Sequence, residues 1–309
     1  MRKLIIGFFT ILFVLTLAAC GEENGDASAE DSDSIKIGYS INTLNNPFFV
    51  EVSEAAKNEA EKVGVSLSIV NANSDLATQM NGIEDLIQQK VDVIIIDAVD
   101  SKGTIPSVEA ANEAGISVIT TGRRIEGGEV VTHLGYDEVK NGVTAGEYLA
   151  KLIGKAGKVI ELQGTTGTDV ARERSKGFQQ AVANYPDIEI VASQSADFDR
   201  AKALTVVENI LQSNPDVIAL YAANDEMGLG GLQAIKAVNI PGFVIVSNDG
   251  TEEALQAVAN EEIAGTMAIS PSEYGITAID IAKAVAKGES QPEFVELPSS
   301  FVSIENVNN

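Results

Sequence analysis

Short apolar runs alternate with longer segments of helical spacing along most of the chain. In the first half the apolar runs are Ile35–Ile41, Ser66–Asn71, Val93–Ile96, Ser117–Thr121 and Val130–Leu134, and the helical segments are Phe48–Val63, Leu76–Gln89 and Ile105–Ala114. The alternation restarts in the second half, with apolar runs at Lys158–Glu161, Ile188–Ala192, Val217–Tyr221, Phe243–Val246 and Gly265–Ile269, and helical segments at Asp169–Asn184, Arg200–Gln212, Glu226–Ala237 and Glu252–Ala259. Strands that alternate with helices are typical of α/β proteins.

The predicted strands also indicate the kind of sheet. Val93-Ile94-Ile95-Ile96 is apolar at every position, so side chains on both faces of this strand must be covered. That pattern is typical of a parallel sheet with helices on both sides. Because the alternation occurs twice, and because 309 residues suit about two domains, we predict two doubly wound α/β lobes with parallel sheets.

The first 19 residues have the pattern of a secretory leader. Arg2 and Lys3 precede an apolar run, Leu4–Leu17, and the small residues Ala18 and Ala19 then lead to Cys20. The apolar run of about 14 residues is shorter than the about 20 that a membrane-spanning helix needs. We predict a lipoprotein signal peptide at residues 1–19, with Cys20 as the lipidated residue. An unlipidated signal and an uncleaved anchor remain the alternatives.

Residues 20–34 have the composition of a flexible acidic linker. They contain several carboxylates and no large apolar residue, so they cannot bury enough surface to offset the entropy of ordering. A calcium-binding loop is the alternative, but the segment lacks the glycine and terminal glutamate spacing of such a loop.

Composition narrows the possible functions. The chain has 21 Lys and Arg against 45 Asp and Glu, which gives a formal charge of −24. So acidic a surface opposes binding to phosphate backbones, and we predict no nucleic-acid partner. One cysteine and one histidine cannot form an internal disulfide, a cysteine-rich zinc site or a multi-histidine site. We predict no metal and no cofactor.

Polar side chains follow the predicted strands of both lobes. In parallel sheets ligands bind at the carboxyl ends of the strands. The residues at or just beyond these ends are Asn42, Asn45, Asn46, Asp97, Arg123, Arg172, Asn224 and Asp249, together with Phe48, Phe49 and Phe198. Amide, carboxylate and guanidinium groups pair with vicinal hydroxyls, and aromatic faces cover the C–H faces of a sugar ring. Taken singly, an Asn or Asp at the end of a strand is more often a helix cap or a turn former than a ligand contact. The informative feature is the whole set, which comes from both lobes.

Several sequence blocks carry a family resemblance. They are TLNNPFFV at residues 43–50, KVIELQG at 158–164, ARER at 171–174, GFQQAV at 177–182, ADFDR at 196–200 and NDEM at 224–227. With these blocks the chain resembles bacterial ribose-binding proteins, which are type I periplasmic binding proteins of ABC importers. The resemblance extends from Ile35 to about Ser303.

The resemblance implies a set of ligand-binding residues. It places eight side chains on ligand-contact positions: Asn46, Phe48, Phe49, Arg123, Arg172, Phe198, Asn224 and Asp249. At five further positions this chain departs from ribose binders: Asn42 stands where they have Ser, Asp97 where they have Asn, Gly122 where they have Asp, Asn248 where they have Phe, and Ile269 where they have Gln. We include Asn42, Asp97, Asn248 and Ile269 among the ligand-binding candidates.

The charges of these candidates favour a neutral ligand. Asp97 and Asp249 face Arg123 and Arg172, because the acid gained at Asp97 offsets the one absent at Gly122. Sugar phosphates and sugar acids would need surplus cations. We therefore expect a pentose, another ribose-like sugar or a small polyol. Asp97 is expected to accept hydrogen bonds from ligand hydroxyls or from Arg123; the alternative is that it caps the following helix.

The resemblance also implies an architecture and partners. It predicts an N-terminal lobe of residues 35–135 and 271–298 and a C-terminal lobe of residues 136–270 and 299–309. Three crossings are expected, near Gly135-Tyr136, Ser270-Pro271 and Pro298-Ser299. The lobes would close on the ligand by hinge motion, and the closed form of this monomer would be recognised by ABC permease subunits. The protein would work outside the cytoplasm, at the outer face of a Gram-positive-type membrane or in a periplasm. A receptor that presents its closed form to a chemoreceptor or sensor kinase is the alternative.

Enzymatic and DNA-binding functions have little support. The only histidine, His133, lies in an apolar strand without an accompanying nucleophile motif. The turn Gly164–Thr168 lacks the Gly-Lys-Ser/Thr sequence that completes a phosphate-binding loop, and we expect it to support Arg172. No N-terminal helix-turn-helix accompanies the fold, which opposes a sugar-responsive repressor. We predict a binding protein and not an enzyme.

Overall fold

A computed structural model describes residues 34–308. The predicted leader, Cys20 and all of the predicted linker except Ser34 lie outside the described residues.

The strands are β1 (Lys36–Ile41), β2 (Ser66–Asn71), β3 (Val93–Ile96), β4 (Ser117–Thr121), β5 (Thr132–Gly135), β6 (Ala156–Gln163), β7 (Asp187–Ser195), β8 (Val217–Ala222), β9 (Val244–Asp249), β10 (Gly265–Ile269), β11 (Phe294–Glu296) and β12 (Ser299–Ser303). The helices are α1 (Pro47–Val63), α2 (Leu76–Gln88), α3 (Ile105–Glu113), α4 (Glu138–Leu152), α5 (Asp169–Val182), α6 (Arg200–Ser213), α7 (Asp225–Val238), α8 (Glu252–Ala259) and α9 (Pro271–Ala286). Within residues 34–308, no helix combines the length and the apolar character needed to cross a membrane.

Two sheets of six strands each form the centres of two lobes. The order is β11-β5-β4-β3-β1-β2 in the N-terminal lobe and β12-β10-β9-β8-β6-β7 in the C-terminal lobe. All pairs are parallel except β12, which runs antiparallel to β10. Both sheets thus repeat the doubly wound order 2-1-3-4-5. The predicted fold of two α/β lobes is confirmed.

The chain passes between the two sheets three times. It leaves the N-terminal sheet after β5 and enters the C-terminal lobe with α4, returns after β10 with α9, and crosses again between β11 and β12. Helices α4 and α9 and strands β11 and β12 carry no prediction from the sequence. Helix α9 buries residues around much of its circumference, including Tyr274, Ile279, Ile281 and Ala282, so its amphipathic pattern is weak.

Each sheet is covered by helices on both faces. In the N-terminal lobe, α1 and α9 pack on one face around Val52, Ala56 and Ile279, while α2 and α3 pack on the other around Ile83 and Val108. The C-terminal lobe likewise has two hydrophobic clusters, one on each side of its sheet. Because β3 is buried along its whole length, its uniformly apolar sequence follows from this two-sided packing.

This winding determines where a ligand can bind. In a doubly wound sheet the crossover helices leave on opposite faces at the point where the strand order reverses, which opens a crevice at the carboxyl ends. The reversal lies between β1 and β3 in one lobe and between β6 and β8 in the other.

Candidate functional site

A cavity of about 600 Å³ lies between the two lobes. Polar side chains from the strand ends of both lobes line the cavity. Aromatic side chains from α1, from α9 and from the loops at Tyr136 and Phe198 line it as well. The lining includes Asn42, Asn45, Asn46, Phe48, Phe49, Asp97, Gly122, Arg123, Tyr136, Glu138, Thr165, Arg174, Phe198, Arg200, Asn224, Glu226, Asp249, Ile269 and Tyr274. The volume lies within the usual range for small-molecule sites.

Two asparagines of the N-terminal lobe line this cavity. Asn42 follows β1 and is almost fully buried; its Nδ2 donates to the Ala98 carbonyl at 3.4 Å. Asn46 is the N-cap of α1, where its Oδ1 accepts from the backbone N–H of Phe48 at 2.9 Å. This bond uses only the amide oxygen, so the Nδ2 group of Asn46 keeps its donors for other partners.

Aromatic rings from both lobes flank a guanidinium group. Phe48 and Phe49 meet edge to face, with 5.3 Å between ring centroids. The Arg123 guanidinium carbon lies 6.0 Å from the Phe49 centroid and 5.4 Å from the Phe198 centroid. Arg123 Nη1 also donates to the Ala98 carbonyl at 3.2 Å. These contacts hold the planar cation across the cavity between Phe49 and Phe198.

Asp97, at the end of β3, is completely buried. Arg123 Nε lies 3.8 Å from its Oδ1, and the Tyr274 hydroxyl donates to its Oδ2 at 3.4 Å. Oδ1 has no hydrogen-bond partner among the described residues. Burial raises the pKa of Asp97 to about 7, and the nearby Asp169 adds to the effect while Arg123 and Tyr274 oppose it. Asp97 caps no helix, because the N-cap of α3 is Thr104.

A buried ion cluster forms the wall of the C-terminal lobe. Arg174 donates to Glu138 through Nε at 2.7 Å and Nη2 at 3.1 Å, and through Nη1 to Asp249 at 3.0 Å and the Ala223 carbonyl at 2.7 Å. Burial raises the pKa of Asp249 to about 7, although Arg174 opposes this shift. Asp249 also has a φ of 124°, a strained conformation that the surrounding contacts must maintain.

Asn224 has a double role like that of Asn46. Its Oδ1 accepts from the Met227 N–H at 3.0 Å and caps α7, while its Nδ2 donates to the Phe198 carbonyl at 3.4 Å. Capping a helix and lining the cavity are therefore not alternatives at these two positions. Next to Asn224, the buried Asp225 accepts from Ser247, Thr251 and Thr266 and thereby fixes the end of β9 and the loop that follows Asp249.

The structure corrects the prediction for Arg172. Its side chain is 52% exposed, pairs with Glu126 across the outer edge of the cleft and donates to the Gly167 carbonyl, and it does not line the cavity. Arg174 is only 5% exposed and occupies the cavity wall instead. Two residues along a helix rotate a side chain by about 200°, so only one of these arginines can face the ligand.

Asn248 is also outside the cavity lining. Its Nδ2 donates to the Tyr221 hydroxyl at 3.2 Å and to the Ala222 carbonyl at 3.1 Å, within the C-terminal sheet. Successive side chains of a strand point to opposite faces, which separates Asn248 from its neighbour Asp249. The predicted ligand contact by Asn248 therefore does not fit the structure.

These placements change the predicted charge balance. Three buried carboxylates, from Asp97, Glu138 and Asp249, face the guanidinium groups of Arg123 and Arg174. The balance of two acids against two arginines is thus wrong by one acid, because the sequence interpretation omits Glu138. Asp97 and Asp249, each with a pKa of about 7, are only partly ionised near neutral pH. The three acids therefore offset the two guanidinium groups and leave no surplus cation for an anionic ligand.

The cavity residues that the sequence prediction misses include Arg174, Glu138 and Tyr274. Arg174 had a usable signal, because it lies four residues after Val170 and four before the buried Phe178 and hence on the inner face of α5. Glu138 and Tyr274 belong to α4 and α9, the two helices that the sequence analysis does not predict. Without a predicted helix, the sequence does not indicate which of their residues face the cavity. The structure does bring Asn42, Asn46, Phe48, Phe49, Asp97, Arg123, Phe198, Asn224, Asp249 and Ile269 to one cavity.

His133 lies inside the N-terminal lobe, away from this cavity. Its Nδ1 is 2.9 Å from the Thr120 hydroxyl and its ring stacks on Phe294. Burial, with the nearby Arg124, lowers the pKa of His133 to about 3. Among residues 34–308, no three His, Cys, Asp or Glu side chains form a group that could hold a metal ion.

The fold and the cavity define a class of protein. Two α/β lobes that enclose a ligand-sized cavity, lined from the carboxyl ends of both sheets, are the arrangement of two-lobed binding proteins that close around small molecules. A family model described as a periplasmic binding protein domain matches residues 37–290. The chain belongs to this periplasmic binding protein family, whose name implies a location outside the cytoplasm.

Individual relatives match over nearly the whole chain. The ribose import binding protein RbsB of Salmonella typhimurium is 40% identical over 280 residues, which cover 91% of this chain and 92% of that protein. The ribose import binding protein RbsB of Bacillus subtilis is 38% identical over 303 residues, covering 96% and 98%. A crystal structure of an ABC transporter solute-binding protein from Mycobacterium smegmatis with bound glycerol has a TM-score of 0.86 and 39% identity, covering 89% of this chain and 96% of that chain.

Proposed function

We propose that this protein captures a neutral monosaccharide or small polyol between its lobes and delivers it to an ABC importer. One observation carries the proposal: a single cavity collects amide, carboxylate and guanidinium groups from both lobes beside three phenylalanine rings. The polar groups offer paired donors and acceptors for hydroxyls, and the rings offer faces for C–H groups. The relatives named as ribose import proteins support the same substrate class.

The charges support a neutral ligand. A carboxylate or phosphate group would enter a cavity that already holds one more buried acid than guanidinium groups. Arg174 is largely occupied by Glu138 and Asp249, so it has little capacity left to bind an added anion.

A calorimetric screen tests the ligand class. The purified protein is titrated with pentoses, hexoses and polyols, and separately with sugar acids, sugar phosphates and amino acids as controls. We expect one-to-one binding in the first group only, with a higher melting temperature for the complex because ligand binds the folded state. Heat from an amino acid or a sugar phosphate, with none from any neutral sugar or polyol, would overturn the proposal.

Import and attachment have their own tests. Cells that lack the gene should lose uptake of the labelled ligand, and uptake that continues unchanged would argue for a sensing role. The proposed lipid anchor at Cys20 predicts that Cys20→Ala moves the protein from the membrane fraction to the medium or periplasm, because the variant loses its stable attachment. Full retention of the variant in membranes would instead indicate an uncleaved helix.

A further inference from the structure

Tyr274 lies in the first turn of α9, directly after the chain crosses from β10. It lines the cavity, yet only 1% of the residue is exposed. Its ring meets Phe48 edge to face at 5.9 Å and stacks on Tyr136 at 6.3 Å. These two rings hold the tyrosine in place, so its hydroxyl has a fixed position at one end of the cavity.

Gly122, at the end of β4, leaves the space that this hydroxyl occupies. A Cβ atom at position 122 would lie 2.5 Å from the Tyr274 hydroxyl and 3.5 Å from Asp97 Oδ2, and the φ of Gly122 is +62°. A side chain at position 122 and the Tyr274 hydroxyl would therefore exclude one another. The polar group at this end of the cavity comes from α9 instead of from the β4 loop.

The two carboxyl oxygens of Asp97 differ in their hydrogen bonding, because the Tyr274 hydroxyl contacts only one of them. Oδ2 accepts from Tyr274 at 3.4 Å, whereas Oδ1 has no hydrogen-bond partner in residues 34–308 and lies 3.8 Å from Arg123 Nε. An unpartnered oxygen in a fully buried carboxyl group is costly. A ligand that brings a donor to Oδ1 removes this cost.

We propose that Tyr274 determines ligand selectivity: it holds Asp97 through Oδ2 so that Oδ1 of the ionised carboxylate is presented as an acceptor for a ligand hydroxyl. Tyr274 is thus a positioning residue that acts through Asp97, and the inference rests on the proposed binding of a sugar or polyol. The inference adds one requirement to the proposed class of neutral sugars and polyols: the ligand must carry a free hydroxyl group at the position that contacts Asp97. Analogues that are deoxygenated or methylated at that hydroxyl cannot donate to Oδ1 and are rejected.

The test measures the coupling between the two residues. The tightest neutral ligand from the screen and its set of monodeoxy analogues are titrated against wild type, Tyr274→Phe, Asp97→Ala and the double variant. Wild type should prefer the parent to one deoxy analogue by about tenfold or more. Tyr274→Phe should weaken binding of the parent by about tenfold and reduce that preference, and it should have no effect in the Asp97→Ala background, because the partner of the hydroxyl is gone.

Tyr148→Phe is the matched control, because Tyr148 packs against Phe301 away from the cavity and should keep wild-type affinity. Unchanged binding by Tyr274→Phe, or an equal loss in both Asp97 backgrounds, would overturn the inference while leaving the proposed function intact. If no neutral ligand binds wild type, the proposed function fails and the selectivity role fails with it.

A stability cycle tests the placement of the hydroxyl without any ligand. Gly122→Ala should destabilise wild type more than it destabilises Tyr274→Phe, because only the wild-type hydroxyl collides with the added methyl group. Urea unfolding of wild type, Gly122→Ala, Tyr274→Phe and the double variant gives the coupling energy between positions 122 and 274. Equal effects of Gly122→Ala in both backgrounds would contradict the placement on which the selectivity depends.

Discussion

Arg174 connects two buried carboxylates that come from different elements of the C-terminal lobe. Glu138 belongs to α4 and Asp249 to the end of β9, and each accepts a charge-assisted hydrogen bond from this one side chain. Desolvation of three charged groups is costly, and their mutual pairing offsets it. Removing the cation would leave two buried acids facing one another.

We therefore expect a large difference between two neighbouring arginines. Arg174→Gln should lower the free energy of unfolding by about 3–5 kcal/mol, as expected for a broken buried ion pair. Arg172→Gln removes an exposed pair and should cost less than about 1 kcal/mol. Urea unfolding of both variants measures the two effects. Comparable losses would contradict the assignment of Arg174 to the buried cluster.

Asp97 should make stability depend on pH in the ligand-free protein. Its pKa is about 7 in the folded state and about 3.9 in an unfolded chain. Between these values the folded state holds a proton that the unfolded state lacks. The stabilisation from this proton is therefore complete below about pH 4 and is lost as pH rises through about 7.

Asp97→Asn removes this titration. As pH rises from about 4 to about 7, the stability of the variant relative to wild type should increase, and above that range the difference should stay constant. Urea unfolding at a series of pH values gives both curves, and their difference removes contributions from other carboxyls such as Asp169 and Asp249. Parallel curves over the whole range would show that Asp97 does not hold its proton.

At the scale of elements, helix N-termini carry several of the cavity groups. The first residues of α1 and α7 point toward the cleft, and each helix begins at an asparagine that caps it with the amide oxygen. Asn46 Nδ2 keeps its donors for the cavity, whereas Asn224 Nδ2 donates to the Phe198 carbonyl at 3.4 Å. One residue type thus satisfies an unpaired backbone N–H and supplies a donor to the site.

These two roles of Asn46 can be separated. Asn46→Ser keeps an oxygen that can cap α1 but removes the Nδ2 donor, whereas Asn46→Ala removes both groups. We expect Asn46→Ala to lower the free energy of unfolding by about 1 kcal/mol and Asn46→Ser to stay close to wild type. Calorimetric titration should show weaker ligand binding in both variants. Wild-type affinity in Asn46→Ser would mean that Nδ2 makes no ligand contact.

The elements also show what the sequence predicts well. Most strands of both lobes can be predicted from the sequence, because burial on both faces requires continuous apolar runs such as Val93–Ile96. The strand-end residues follow directly, since parallel strands bring their carboxyl ends to one edge. The buried Phe178 also indicates which side of α5 faces inward, and by helical spacing Arg174 lies on that side and Arg172 does not. The contributions of Glu138 and Tyr274 depend instead on packing between elements far apart in sequence, which local patterns do not encode.

At the scale of the whole molecule, the two lobes touch across the outer edge of the cleft. Ser101 Oγ accepts from the Asp169 N–H at 3.2 Å, and the Arg124 N–H donates to Asp169 Oδ2 at 3.0 Å. Arg124 Nη1 also lies 3.4 Å from Glu173 Oε2. None of these four residues lines the cavity, so their contacts stabilise closure without touching a ligand.

Arg124→Met should therefore weaken every ligand by a similar factor, about threefold to tenfold, because it removes contacts specific to the closed state. The change should appear mainly as faster dissociation. Lys158→Met is the matched control, since Lys158 has the same side-chain exposure of 36% and pairs with Asp216 inside one lobe. Surface plasmon resonance with several ligands measures the rates. A loss confined to one ligand, or an equal loss in the control, would contradict a role in closure.

The late return of α9 and β11 to the first lobe also governs the order in which the chain can fold. The apolar face of α1, with Val52 and Ala56, packs on Ala278, Ile279 and Ala282 of α9, and β11 forms the edge of the same sheet. The ribosome has therefore made most of the polypeptide before the N-terminal core can be completed. A nascent chain that lacks its last packing partners stays unfolded for longer, and an unfolded chain is the form that can thread through a narrow secretion channel.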